Sequence, residues 1–101
     1  MIAYDLHPQA RLDLDDIWEF IAEDSLDAAD KVIADILASI DTLVTNQGHK
    51  RPDLTSRPLR FILVRDYLIA HAAEEKPLLV IAVLHGRRNP RLIAAILRGR
   101  E

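Results

Sequence analysis

The side chains best suited to chemistry in this sequence are arginines near its C-terminus. Five of them fall within the last fifteen residues: Arg87, Arg88, Arg91, Arg98 and Arg100. A guanidinium group is planar, keeps its charge and donates in a fixed fork, so it suits bidentate contacts with phosphate or carboxylate. We therefore expect this end of the chain to bind an anionic or acidic target, with Arg87, Arg88, Arg91 and Arg98 as the target-binding residues.

This positive charge is opposed by an acidic N-terminal half. Residues 1–45 contain eleven acidic and two basic side chains, whereas residues 46–101 contain eleven basic and five acidic ones, within a formal net charge of −3. Two halves of opposite sign also attract each other within a fold, which would explain the pattern without any target. Target binding and internal attraction both stay open at this point.

The composition argues against several other kinds of site. The sequence has no cysteine, which rules out disulfides, thiol nucleophiles and thiolate zinc sites. Asp13, Asp16 and Glu19 are too weakly clustered, without histidine, to predict a metal site. We expect neither a metal nor a cofactor. No apolar run approaches the roughly 20 residues that span a bilayer, and the N-terminus has no basic leader, so we expect a cytoplasmic protein with no membrane partner.

The elements that must position these residues follow from hydrophobic spacing and from turn residues. The length predicts a single domain over residues 1–101. Apolar residues at spacings of three and four predict two consecutive helices, and β-branched and aliphatic runs predict strands. The predicted ranges are, in order, a strand at 2–6, helices at about 8–24 and 25–44, strands at 59–64, 67–73 and 78–84, and a helix at about 90–98. Asn89 and Pro90 are a cap and first-turn signal for that last helix.

This order predicts an α+β fold, β-α-α-β-β-β-α, in which a four-stranded antiparallel sheet packs against a helical hairpin and a short helix follows. The last predicted strand is apolar throughout, from Leu78 to Leu84, so both of its faces favour burial. The helical hairpin covers one face. Either the C-terminal helix or a partner chain must cover the other, and both alternatives stay open.

Four segments of the chain carry a resemblance to known proteins. They are Ala10, Asp13–Trp18 and Ile21-Ala22 in the first helix; Ala28-Ala29 and the second helix as far as Leu43 and Gly48; Leu59-Arg60 with Val64 and Tyr67–Ile69; and Val83–Arg88 leading into the last helix. In order and spacing they resemble the ParE/RelE superfamily of toxins from type II toxin–antitoxin operons, over nearly the whole chain. That superfamily includes two activities on one fold: RelE-like members cleave mRNA on the ribosome, and ParE-like members poison DNA gyrase.

The RelE-like activity would need particular side chains. Cleavage through the 2′-hydroxyl of RNA requires a base, an acid and cations on the phosphate. RelE-like toxins supply these from clustered lysines and arginines and from a C-terminal tyrosine or histidine. This chain has no lysine on its predicted strands and no tyrosine after Tyr67. If it were a ribonuclease, its catalytic residues would be Arg60, Arg65, His85 and Arg88, with histidine replacing the missing tyrosine.

The resemblance is therefore closer to the ParE-like branch. It implies a toxin that inhibits growth by binding DNA gyrase, without a catalytic residue of its own, and that a cognate ParD-like antitoxin neutralises. Nucleic acid would be contacted only indirectly, or through the ribosome in the RelE-like alternative. A further alternative is an inactive toxin-fold protein that only binds its antitoxin. The residues expected to contact the antitoxin are apolar: Trp18, Ile33, Leu37, Leu79, Ile81 and Val83.

Overall fold

The computed structural model describes residues 4–43 and 45–100. Its elements are β1 (Tyr4–Leu6), α1 (Pro8–Ala22), α2 (Leu26–Thr42), β2 (Arg60–Val64), β3 (Tyr67–Ala72), β4 (Leu78–His85) and α3 (Pro90–Arg98). The α+β class and the order of elements are as predicted, and the boundaries agree to within two residues. Residues 2, 3 and 44, which the sequence assigned to the first strand and the second helix, lie outside the described residues.

The four strands form one sheet in the order β1-β4-β3-β2. β2, β3 and β4 are an antiparallel meander, as predicted, but β1 pairs in parallel with β4, with Tyr4 opposite Leu78 and Leu6 opposite Val80. The sheet is therefore mixed, and the prediction of an entirely antiparallel sheet is wrong at β1. The physical reason is that the loop between α2 and β2 is long enough to return the chain to the end where β1 starts, so β1, β2 and β4 all run the same way.

Hydrophobic residues pack on both faces of this sheet. On one face, α1 and α2 contribute residues such as Leu14, Val32 and Ile36, which pack against Ile69 and Val83 of the strands. The residues on the other face come from the loop before β2, from the strands and from α3: Leu54, Leu59, Phe61, Leu68, Ala70, Ile81, Ala82, Leu84, Ile93 and Leu97. The chain's own α3 and loop therefore cover the second face of β4, which answers the question left open by its apolar sequence.

Side-chain caps fix where the helices begin. Ser25 Oγ accepts a hydrogen bond from the Ala28 amide at the start of α2, at 3.1 Å. The predicted cap of α3 is present, since Asn89 Oδ1 accepts from the Arg91 amide at 2.9 Å and Pro90 occupies the first helical position. Among the residues described, no helix is long and apolar enough to cross a bilayer.

Candidate target-binding surface

The arginines singled out by the sequence surround α3. Arg87 and Arg88 lie in the turn between β4 and α3, whereas Arg91 and Arg98 lie on α3 itself, and all four are exposed. Arg91 and Arg98 are seven residues apart, so they project from the same side of the helix, about 10 Å from each other along its axis. The opposite side of α3 is buried against the sheet. The result is a positively charged, solvent-facing side of α3, which we call the α3 arginine surface (Arg87, Arg88, Arg91 and Arg98).

The arginines of this chain differ in whether their guanidinium groups are engaged in hydrogen bonds or ion pairs. Within residues 4–43 and 45–100, no guanidinium group of the α3 arginine surface forms a hydrogen bond or an ion pair. The engaged arginines are Arg51 with Asp53, Arg57 with the carbonyl oxygens of Leu97 and Arg100, Arg60 with the carbonyl oxygen of Gly48, Arg65 with Asp35, and Arg100 with Asp13. The pairs Arg65–Asp35 and Arg100–Asp13 join the basic half to the acidic half, so internal attraction explains part of the charge pattern. It does not explain the α3 arginine surface.

A cavity of about 310 Å³ lies between α1 and the end of β4, beside this surface. Tyr67 and His85 form one part of its wall, with their rings in an edge-to-face contact at a centroid distance of 5.6 Å. His85 Nδ1 accepts a hydrogen bond from the Arg87 amide at 3.2 Å, so a neutral ring carries its proton on Nε2. Arg88 also lines the cavity. This arrangement combines a cation with a group able to transfer protons.

The four residues of the ribonuclease alternative are not brought together. His85 and Arg88 line the same cavity. Arg60, however, is the first residue of β2 and lies about 13 Å along the strand from Val64, the last one. Its Nη1 donates to the Gly48 carbonyl oxygen at 3.1 Å. Arg65 is bound to Asp35, with Nη2 at 2.6 Å from the carboxylate. Two of the three guanidinium groups are thus engaged away from the cavity.

The apolar residues expected to contact an antitoxin fall into two groups. Trp18 is partly exposed on α1 and donates through Nε1 to Asp30 of α2 at 2.9 Å, while Ile33, Leu37 and Leu79 are partly buried. The remaining two are interior residues: Ile81 is 1% exposed and Val83 is 2% exposed. Because the chain itself covers both faces of β4, these two side chains are not accessible to a partner in this conformation.

Sequence reasoning missed the most exposed aromatic residue. Phe20 is 73% exposed on α1 and lines the cavity, and Leu12 and Leu26 are also largely exposed. The signal was present in the sequence, because Phe20 lies outside the spacing of three and four that defines the buried side of α1. A large apolar side chain outside that pattern is a candidate for a partner contact.

Comparison with known families decides between the branches of the superfamily. The model of the ParE toxin of type II toxin–antitoxin systems, parDE, matches residues 4–90. The chain belongs to the ParE toxin family. As a member of that family it is a ParE-type toxin of a ParDE toxin–antitoxin system, which implies a ParD-like antitoxin as its partner. The match ends at Pro90, the first residue of α3, so the rest of that helix lies outside the matched residues.

Solved structures support the same fold for this ParE-family chain. A chain of the chromosomal ParDE TA system from P. aeruginosa is similar to it, with a TM-score of 0.66 and 22% sequence identity over 84% of this chain and 96% of that one. At this level of identity the likeness shows the fold alone. No curated protein sequence matches the chain.

Proposed function

We propose that this ParE-family toxin inhibits growth by binding DNA gyrase in the cytoplasm, and that binding, without catalysis by the toxin, is its mode of action. The observation that carries the proposal is the α3 arginine surface, in which four exposed guanidinium groups have no partner among the described residues. Membership of the ParE family supports the choice of target.

The physical argument concerns what unpartnered arginines do at an interface. Arginine is enriched among the residues that dominate binding energy, because its planar group forms several hydrogen bonds at once and packs against apolar surface. An engaged guanidinium, such as that of Arg65, would first have to break its own ion pair. The residues of the α3 arginine surface need no such rearrangement, so an acidic patch on the target is the complementary surface.

The antitoxin needs a different surface. Trp18, Phe20 and Leu26 expose apolar area on α1 and at the start of α2, surrounded by the acidic side chains of these helices. We assign the antitoxin contact to this area, extended by the partly buried Ile33 and Leu37. A partner segment that carries apolar and basic residues would fit it best, because the toxin supplies the acidic ones.

A second candidate function is supported by one observation. The cavity places His85, Tyr67 and Arg88 together, and these could supply a proton-transfer group and a phosphate-binding cation for RNA cleavage on the ribosome. Arg60 and Arg65 do not join them, as described above. Gyrase binding remains our proposal because it uses the arginines that are free.

Expression in cells tests the α3 arginine surface. The double variant Arg88→Ala with Arg91→Ala should need a toxin level about tenfold higher, or more, to inhibit growth equally. The reason is that truncation of an interface arginine costs about 2 kcal/mol or more of binding free energy. Its free energy of unfolding should change by less than about 0.5 kcal/mol, since both side chains are exposed. Arg11→Ala, which removes an exposed arginine of α1, is the matched control and should stay fully toxic.

The same experiment checks the antitoxin surface. Coexpression with the antitoxin should restore growth against the wild-type toxin but not against a Phe20→Ser variant that remains toxic. Full toxicity of the folded double arginine variant would remove the α3 arginine surface from the mechanism. Rescue of Phe20→Ser by normal antitoxin levels would place the antitoxin elsewhere.

A further inference from the structure

The C-terminal end of α3 is held by an arginine from a distant part of the chain. Arg57, in the loop before β2, donates through Nη1 to the carbonyl oxygens of Leu97 at 3.0 Å and of Arg100 at 2.7 Å. The last carbonyl groups of a helix have no partner within the helix and form the negative end of its dipole. Arg57 therefore supplies both a hydrogen-bond donor and a compensating charge to the end of α3.

A second arginine ties the same end to α1. The guanidinium of Arg100 binds both carboxylate oxygens of Asp13, with Nη2 at 2.9 Å from Oδ1, and each side chain is only 12% exposed. A bidentate pair shielded from water in this way is among the stronger polar contacts in proteins, and loss of one partner leaves the other charge buried and unpaired.

These two contacts meet at Arg100 and continue into the sheet. The backbone of Arg100 accepts from Arg57, while its side chain donates to Asp13 and to the Ile81 carbonyl oxygen at 3.2 Å. Asp13 Oδ2 in turn accepts from the Val83 amide at 2.9 Å. Both backbone groups lie on β4 just beyond Val80, the last residue that pairs with β1. The loop, the C-terminal segment, α1 and the edge of β4 are therefore joined at one point.

Few apolar side chains attach α3 to the sheet. The helix has nine residues, and its fully buried side chains are those of Ile93 and Leu97. A helix of this length is marginal in isolation and depends on tertiary contacts for its stability. Its orientation on the sheet therefore depends on these few apolar contacts, with Ile96 partly buried beside them, and on the polar contacts at its end.

We propose that Asp13, Arg57 and Arg100 act as positioning residues, which we call the α3 latch, and that they hold α3 in the orientation in which Arg88, Arg91 and Arg98 reach the target together. The proposal rests on the target-binding role of these arginines given above. With the latch intact, binding requires no ordering of α3. Without it, α3 populates several orientations, and the apparent affinity falls by the fraction of molecules that are competent to bind.

The variants Arg57→Ala and Arg100→Ala test the latch, with Arg51→Ala as the matched control. Arg51 lies in the same loop as Arg57, but its guanidinium pairs with Asp53 of that loop, at 2.8 Å, and not with α3. In the latch variants, amide hydrogen exchange of residues 93–97 should become at least about tenfold faster, while that of α2, and in Arg57→Ala that of α1 as well, stays at the wild-type rate. The toxin level needed for half-maximal growth inhibition and for half-maximal inhibition of supercoiling should rise by about tenfold. Antitoxin affinity should not change, and Arg51→Ala should match the wild type throughout.

Two further variants separate positioning from simple destabilisation. Arg100→Lys keeps a charged donor for Asp13 and should recover part of the lost inhibition. Arg57→Ala combined with Arg88→Ala should lose less inhibition than the product of the two separate losses, because the latch contributes less once Arg88 is absent. If Arg100→Ala accelerates amide hydrogen exchange throughout the chain, the Arg57→Ala variant decides on the proposal, since it leaves the Asp13–Arg100 pair in place.

The proposal is overturned if α3 exchanges at the wild-type rate in the latch variants, or if it exchanges faster while inhibition is unchanged. Strict multiplicativity of the Arg57 and Arg88 losses would also overturn it. A wild-type toxin that arrests growth without inhibiting supercoiling would refute gyrase as the target, and the growth measurements would still decide on the latch. A wild-type protein that affects neither growth nor supercoiling would refute both proposals.

Discussion

At the level of single residues, His71 in β3 is the least expected feature of the interior. Its side chain is completely buried, and neither ring nitrogen has a hydrogen-bond partner among the described residues. Burial, and secondly the positive charge of Arg60, which lies opposite it on β2, together lower the pKa of His71 to about 4. Apolar neighbours in the sequence favour a packed or interface position for this histidine, and its side chain is packed in the interior. The missing partners could not be foreseen.

His71 should make the fold sensitive to acid. The unfolded chain binds a proton at this residue near pH 6.5, but the folded chain does so only near pH 4, so stability is full above pH 6.5 and falls as the pH is lowered towards 4. The loss should reach roughly 3 kcal/mol by pH 4. A His71→Leu variant should lack this part of the decline, which urea unfolding across the pH range would measure. His49→Gln, at an exposed loop histidine, is the control, and parallel profiles for His71→Leu and the wild type would contradict the prediction.

At the level of elements, the attachment of the loop to β2 depends on Gly48. The loop forms a bridge to the sheet through His49 and Phe61, whose backbone groups exchange hydrogen bonds of 2.9 Å and 2.7 Å. A Cβ atom on Gly48 would lie only 2.1 Å from the Phe61 carbonyl oxygen, so no side chain fits there without moving the backbone. Glycine at this position allows the loop to approach the strand closely and to place Leu54 and Leu59 over the second face of the sheet.

Replacement of this glycine should therefore be costly. Gly48→Ala should lower the free energy of unfolding by about 2 kcal/mol, the typical cost of forcing extra volume into a packed site. Gly99→Ala is the control, because its Cβ would meet the nearest carbonyl oxygen at an ordinary 3.5 Å, and the change should stay within about 0.5 kcal/mol. Chemical denaturation measures both. Equal stability of the two variants would show that the loop adjusts freely.

Some features of the helices and strands could be predicted from the sequence and others could not. The helices, their caps and the meander follow from local spacing and turn residues, which act over a few positions. The parallel direction of β1 and the covering role of Leu54 depend on how the loop returns, and an isolated leucine between Pro52 and Pro58 carries no periodic signal. The distinction between engaged and free arginines is also nonlocal, since Asp13 and Arg100 are 87 positions apart.

At the level of the whole molecule, the acidic and basic halves of the sequence become two different surfaces. The acidic side chains concentrate on α1 and α2, around exposed Trp18 and Phe20, and the free arginines concentrate at α3. The sequence located the second surface by residue type alone. It could not show that Ile81 and Val83 are buried, because their depth depends on what covers both faces of β4.

If the two proposed assignments hold, this separation lets one small toxin bind two partners. An antitoxin bound over α1 and α2 would then lie beside the cavity that Phe20 and Arg88 share, so it would obstruct the α3 arginine surface without occupying it. An antitoxin that covered both surfaces would neutralise the toxin more completely. Neutralisation and target binding are then competing uses of neighbouring sites, and the antitoxin need not resemble the target.

The most direct test of the account is a supercoiling assay with purified toxin. Relaxed plasmid, ATP and DNA gyrase are incubated with increasing amounts of the wild type, and ribosome-bound mRNA is incubated with the same toxin in parallel. We predict that the wild type inhibits supercoiling and leaves the mRNA intact, that Arg88→Ala with Arg91→Ala is at least about tenfold weaker, and that added antitoxin restores supercoiling. Cleavage of the mRNA at codons, with supercoiling unaffected at every toxin concentration, would contradict the account and favour the ribonuclease alternative.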